Sequence, residues 1–333
     1  MAETEITPET GTKKPMHPPR LSRRDLRVYA AVGGAVALLA LCPLVIYPVF
    51  LMKALCLALF ACAFNLLLGF SGLLSFGHAA FFGSASYITA HTVKVWGVTP
   101  EIGILLGVGV AALLGVLFGI VAIRRQGIYF AMITLALSQM VFFLAVQAPF
   151  TGGEDGIQAV PRGMLLGIFD ISDNLRMYYV VLAICLFGFF AVWRTIHSPF
   201  GQVLRAIREN EPRAVSLGYR VDRYKLSAFV ISATLSGLAG GTKALVVQLA
   251  SLSDVHWHMS GEVVLMTLLG GMGTVFGPGV GAVIVVTLQN YLTAFESFVP
   301  ITIGVIFVAC VLAFRRGVVG EALHILKKKT RQN

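Results

Sequence analysis

The chain alternates between long apolar runs and short polar breaks. A hydrocarbon core about 30 Å thick takes about 20 apolar residues per helix. Runs of that kind stand at 28–48, 54–74, 77–93, 102–123, 128–148, 177–194, 226–249, 262–275, 277–295 and 298–314. The pattern predicts an all-α fold, a polytopic integral membrane helical bundle of about ten transmembrane spans. The runs 77–93 and 262–275 are short and glycine-broken, so each either crosses fully or re-enters, and re-entrant backbone needs protein or a water-filled cavity around it. Helix-break glycines are expected at Gly69, Gly72, Gly77, Gly83, Gly270, Gly271 and Gly273.

One polar island interrupts this pattern. Residues 194–225, RTIHSPFGQVLRAIRENEPRAVSLGYRVDRYK, carry Arg194, Arg205, Arg208, Glu209, Glu211, Arg213, Arg220, Asp222, Arg223 and Lys225, whereas the flanks 177–193 and 226–241 carry no charge. Such a segment must face water. Val203, Leu204 and Ile207 share one helical face and Gln202, Arg205 and Glu209 another, which predicts a short amphipathic helix. Glu211 suits a helix start, Pro212 the first turn and Gly218 a stop, which predicts a second short helix.

Composition agrees with a membrane protein: 57% hydrophobic, 13% charged, mean hydropathy +0.82. The net charge of +10 is mostly topology. Lys and Arg gather before residue 28, at Arg124 and Arg125, in the island and after residue 314, which puts these segments and both termini in the cytoplasm. Nucleic acid is therefore not an expected partner. Residues 1–27, with Pro8, Pro15, Pro18 and Pro19, are expected to be a disordered cytoplasmic tail; residues 28–316 a transmembrane domain containing the segment 194–225; and residues 317–333 a basic cytoplasmic tail. The first apolar run lacks a small-residue cleavage site and is read as a retained span. Met1 and Met16 both stand as candidate starts.

Candidate chemistry is sparse. Cys42, Cys56, Cys62, Cys185 and Cys310 lie in apolar runs without metal-ligand spacing and are expected to be packing residues. His256 and His258 lack a further clear ligand, so no metal site is expected. Gly237–Ala244, GLAGGTKA, has Thr242 where a phosphate-binding loop requires glycine and Ala244 where it requires a hydroxyl. The cluster GGMGTVFGPGVGA, from Gly270, is expected to be a turn between spans with Pro278 starting the next helix, since no strand-helix unit surrounds it. No cofactor is expected, and neither converging ligands nor catalytic groups point to an enzyme. Stripes of small residues, Gly103, Gly107, Ala111, Gly115 and Gly119 in one run and Ala228, Ser232, Ser236, Gly240 and Ala244 in another, predict close helix contacts. No acid stands mid-span, which disfavours a proton-coupled carrier. Lys243, late in its run, is expected to snorkel to the outer headgroups.

Five blocks in order carry a family resemblance: GFSGLLSFGHAAFFGSASY from Gly69, RQGIYFAMITLA from Arg125, FTGGEDGI from Phe150, SPFGQVLRAIRENE from Ser198, and the Gly270 cluster. Over about residues 60–315 the chain resembles the LivM-type branched-chain amino acid permeases of ABC importers. It departs from the usual pattern at Ser86, at Ile128 and at Pro212-Arg213. The resemblance implies a multi-pass permease of the bacterial inner membrane that forms half of a transmembrane pathway. The implied partners are a second permease subunit, two cytosolic ATPase subunits that bind the ATP, and an extracytoplasmic substrate-binding protein. It implies that the island couples to the ATPases through Arg205, Arg208, Glu209, Glu211, Arg213, Ala214 and Gly218. Branched-chain or other neutral amino acids are the implied cargo, with urea or short amides as the alternative and a self-contained secondary carrier as the rival class. Asn65, Ser71, Ser75, His78, Ser84, Tyr87, Thr134, Ser138 and Gln139 supply polar groups within the spans. They are either substrate contacts or helix-helix hydrogen bonds.

Overall fold

The computed structural model describes residues 33–34, 36–165, 167, 169–292, 304–305, 308 and 317–321. The tail 1–27, Cys310 and nearly all of the run 298–314 lie outside these residues, and the run 28–48 is described in part. The chain divides after Val45 into two units. In the first, helical residues 36–41 lead into a 3-10 turn, Cys42–Leu44.

The second unit holds the bundle. Its helices are α1 (Pro48–Asn65), α2 (His78–Val95), α3 (Pro100–Ala122), α4 (Ile128–Gln147), α5 (Asn174–Ile196), α6 (Pro199–Glu209), α7 (Glu211–Ser216), α8 (Val221–Val247), α9 (Leu252–Val255), α10 (Trp257–Gly270) and α11 (Gly277–Leu292). Proline opens α1, α3, α6 and α7, where its missing N–H has no intrahelical partner to lose. α1 runs on through a π-helical turn, Leu66–Ser71, until Gly72, at φ +75°, stops it.

Five helices among the described residues are long and apolar enough to cross a membrane: α1 with its π turn, α3, α4, α5 and α8. Their burial separates centre from periphery. The most apolar window of α1 is 83% buried and that of α8 67%, whereas that of α4 is 22% buried. α1 touches α5, α8, α10 and α11, while α2 and α3 pack on each other and on α8. Met132, Met140, Phe143 and Leu144 on α4 and Leu105, Leu113 and Leu117 on α3 point outward, the arrangement that a lipid solvent requires. Between α2, α3, α4 and α8 the core is aromatic: Phe81 stands 5.2 Å from Phe118 and 5.5 Å from Phe229, which in turn meets Phe130 at 5.9 Å.

Small residues set these approaches. A Cβ on Gly115 would stand 2.7 Å from that of Ala233, a Cβ on Gly107 would stand 2.8 Å from the Ala85 carbonyl oxygen, and a Cβ on Gly240 would run into the Phe82 carbonyl. Gly237, part of the failed phosphate-loop match, lies against Ala111 where α8 crosses α3. The Gly270 cluster turns α10 into α11, which starts at Gly277-Pro278, as the sequence predicts.

Two short runs resolve differently from one another. The run 77–93 is one unbroken helix, α2, so Gly83 is not a helix break. It is a close approach, since a Cβ there would run into the Val255 side chain and stand 2.7 Å from the Val255 nitrogen. α10 has 14 residues, about 21 Å at 1.5 Å per residue, and is too short to cross a 30 Å core on its own. It ends at Gly270, and Gly271 and Gly273 follow at φ +113° and +77°.

Small strands link the helix ends away from the charged island. β1 (Ile157–Gln158) pairs antiparallel with β4 (Leu249–Ala250), and β2 (Met164–Leu165) with β3 (Phe169–Asp170). Periodicity could not reveal two-residue strands. Arg162 fastens this segment to the bundle: its guanidinium donates to the Val246 carbonyl at 3.0 Å, to Asn174 Oδ1 at 2.7 Å and to the Ser172 carbonyl at 3.3 Å. Burial lowers the Arg162 pKa from its usual value. Asp170 accepts from the Ser172 hydroxyl at 2.6 Å and amide at 2.9 Å, which holds its carboxyl below the usual carboxylate range.

Candidate coupling face and substrate cavity

The charged island folds as two short helices, α6 and α7. Ser198 caps α6, accepting from the Gly201 amide, and Asn210 caps α7, accepting from the Arg213 amide at 3.1 Å. Asn210 is absent from the sequence-based reading, although its place just before Glu-Pro is an N-cap signal. Leu204 and Ile207 are buried on one side of α6, and Ala214 is buried on α7 with Val221 beside it. Glu209 and Arg213 stay exposed. Gly218, at φ +86°, stops α7 one residue beyond its C-cap Leu217.

Three of the charged residues expected on the coupling face make contacts with the bundle. Arg208 donates from Nη1 to the Gly69 carbonyl in the π-helical turn. Arg205 stacks on Phe70, 5.1 Å from the ring centroid. Glu211 pairs with Lys225 at 2.7 Å, with side-chain exposures of 27% and 4%. A space of about 200 Å³ lies here, bordered by Ser71, Gly72, Ile207, Arg208, Glu211 and Lys225. Beside it, Asn65 donates from Nδ2 to the Thr274 carbonyl at 2.8 Å and accepts from the Gly273 amide at 3.1 Å. One buried amide thus joins α1 to the α10–α11 turn.

Most of the other intramembrane polar residues form hydrogen bonds inside the bundle, chiefly to backbone groups. His78 meets Ser232 Oγ at 2.9 Å, and Ser232 donates to the Ala63 carbonyl at 2.6 Å, which leaves the His78 Nε2–H as donor in the first bond. Phe64 and Phe81 meet the imidazole edge-on at 4.9 and 5.5 Å. Thr134 Oγ accepts from the Phe76 amide and Ser75 Oγ from the Gly77 amide, so both hold the turn before α2. Ser71 donates to the Leu67 carbonyl and Ser84 to that of Phe81. Gln139 is half-buried on α4. The Tyr87 and Ser138 hydroxyls are buried without a hydrogen-bond partner, and so is His78 Nδ1. Of these nine residues only Ser71 borders either of the two cavities described.

The larger cavity lies toward the end of α8 away from the island. It measures about 610 Å³. Its polar lining includes Lys53, Lys243, Asp254, His256, His258 and Glu262, and its apolar lining includes Leu57, Phe82, Phe142, Val247 and Met259. Lys243 does not snorkel as expected. Its ammonium donates to both Asp254 oxygens, at 2.8 and 2.7 Å, with the two side chains 11% and 7% exposed. The partner sits 11 residues onward, past the end of the helix, so helical spacing could not reveal it. Ser251-x-x-Asp254, the capping box that starts α9, was the one local signal. His258 approaches Glu262 at 3.6 Å. Among the described residues no three His, Cys, Asp or Glu side chains converge as metal ligands.

The chain is 28% identical over 296 residues to the high-affinity branched-chain amino acid transport system permease protein LivM of Salmonella typhimurium, covering 80% of this chain and 68% of that one. It is 27% identical over 293 residues to the LivM of Escherichia coli, with the same coverage. Similarity extends to the ribose import permease protein RbsC of Bacillus subtilis, 27% identical over 197 residues, 54% of this chain and 58% of that one. No solved structure matches. Residues 46–314 match the family described as branched-chain amino acid transport system, permease component, a span that takes in the whole bundle, the paired short helices and the cavity. The chain belongs to that family of transport permeases.

Proposed function

We propose that this chain is the permease subunit of an ABC importer for branched-chain or other neutral amino acids in a bacterial inner membrane, with about ten spans and both termini cytoplasmic. A second permease subunit completes the pathway, two cytosolic ATPases dock on α6 and α7, and an extracytoplasmic binding protein delivers the cargo. The observation that carries this reading is the build of the island: an element bonded to the bundle on one side through Arg208, Arg205 and Glu211, and open on the other through Glu209 and Arg213. An element fixed at one side and free at the other can transmit movement. The Arg208 contact leads to the π-helical turn of α1, and the Asn65 contacts lead on to the α10–α11 turn, so a displacement of α6 reaches the centre of the bundle through bonded groups.

The test is uptake of radiolabelled leucine in proteoliposomes holding the full transporter, with binding protein and ATP. Glu209→Lys and Arg213→Glu should abolish ATP-driven uptake and association with the ATPases while leaving the permease folded. Uptake by this chain alone, without ATPases, defeats the importer reading.

A further inference from the structure

We propose that the Lys243–Asp254 pair is a recognition site for the zwitterionic head of an amino acid, with Lys243 taking the α-carboxylate and Asp254 the α-ammonium. The inference rests on the amino-acid reading above and specifies how the permease itself recognises that cargo.

Four observations converge. The pair lines the 610 Å³ cavity while nearly all of both side chains is withdrawn from solvent. Held charges of opposite sign in a low-dielectric setting interact strongly, and an ion pair placed there by chance is no gain over apolar packing. A zwitterion can enter such a pair without leaving either charge unmatched, because its carboxylate replaces Asp254 on Lys243 and its ammonium replaces Lys243 on Asp254. A ligand with one charge must strand the other residue, which is a heavy penalty in a buried site.

The balance of charge points the same way. Among the described lining residues, the ammonium groups of Lys53 and Lys243 are offset by the carboxylates of Asp254 and Glu262. A net anion or cation gains no field from such a wall, whereas a dipolar ligand does. Apolar groups complete the fit. Leu57, Phe82, Phe142, Val247 and Met259 offer an aliphatic side chain the apolar surface that ligand cavities commonly provide.

The acid is also held in place. Asp254 accepts from the Ser251 amide in the capping box of α9, and Gly83 lets α9 lie directly on α2. Preorganised charge binds with less loss on ordering.

The experiment uses the purified complex of both permeases and both ATPases without the binding protein, because the binding protein would impose its own selectivity. Radiolabelled leucine binding is measured by scintillation proximity and competed with leucinamide, which keeps only the ammonium, and with N-acetyl-leucine, which keeps only the carboxylate. Leucine should displace the label, and both analogues should be weaker by about tenfold or more, the equivalent of about 1.4 kcal/mol. Lys243→Met and Asp254→Asn should each lose about tenfold or more. The exchanged pair, Lys243→Asp with Asp254→Lys, keeps an ion pair for folding but reverses its polarity, and it should lose binding while the complex stays intact. Unchanged leucine affinity in the exchanged pair, or equal competition by either analogue, overturns the site. So does a complex that imports leucine with its binding protein yet binds none without it. A complex that imports no amino acid at all overturns the cargo reading instead.

Discussion

Glu211→Ala is expected to destabilise the permease far more than its position on a charged surface helix suggests. The ion pair with Lys225 spans 2.7 Å, and the Lys225 side chain is only 4% exposed. Removing one partner of a fully buried pair costs about 3–5 kcal/mol, whereas an exposed pair is worth about 0–1 kcal/mol. Glu211 keeps 27% exposure, so water solvates part of the carboxylate, and the expected loss is about 2 kcal/mol. The loss comes from the stranded ammonium, so removing it too should restore stability: Glu211→Leu with Lys225→Met should return to within about 1 kcal/mol of the natural protein. SDS-driven unfolding of the purified chain, followed by tryptophan fluorescence, measures all four members of this cycle. If the losses of Glu211→Leu and Lys225→Met simply add in the double variant, the pair is uncoupled and the reasoning fails.

Other expectations follow from the same contacts. Asn65→Ala removes the amide that spans α1 and the α10–α11 turn, and should cost about 2–3 kcal/mol in the same unfolding assay. Gly240→Ala drives a methyl group into the Phe82 carbonyl, so α8 and α2 must separate at a cost of about 1–3 kcal/mol, whereas Gly261→Ala, with open space around it, should be nearly silent. Gly72→Ala must hold φ at +75° beside Arg208 and should cost about 1 kcal/mol or more in unfolding free energy. Asp170 has a depressed pKa, so its stabilising bonds to Ser172 are fully present above the unfolded carboxyl value of 3.8 and are lost as pH falls through the lower folded value. Exchange of the Ser172 amide should accelerate across that acid range, and Asp170→Asn should remove the dependence.

The legible and illegible parts of this molecule divide by the distance over which the physics acts. Apolar length is local, and it locates α3, α4 and α5 to within about three residues and α1, with its π turn, and α8 to within about six. The amphipathic pattern of 202–209 and the Glu211-Pro212 start placed α6 and α7 for the same reason. What a side chain meets across the bundle left no local trace. Arg208 reads as a surface charge yet bonds to Gly69, and Lys243 reads as a snorkelling cation yet pairs with Asp254. Gly83 reads as a break because glycine serves breaks and close approaches equally well. The polar residues of the spans read equally as cargo contacts or as packing, and most of them form hydrogen bonds inside the bundle.

The burial of α1 bears on how the chain is made. Protein surrounds most of this helix in the finished bundle, yet α5, α8, α10 and α11, which enclose it, are all synthesised later. During translation it must therefore rest against lipid by itself, which its mean hydropathy of 2.2 permits, and wait for neighbours to close over it. A charge added to its middle would weaken insertion by about 2.5–3.5 kcal/mol, before the folded protein had any chance to compensate for it.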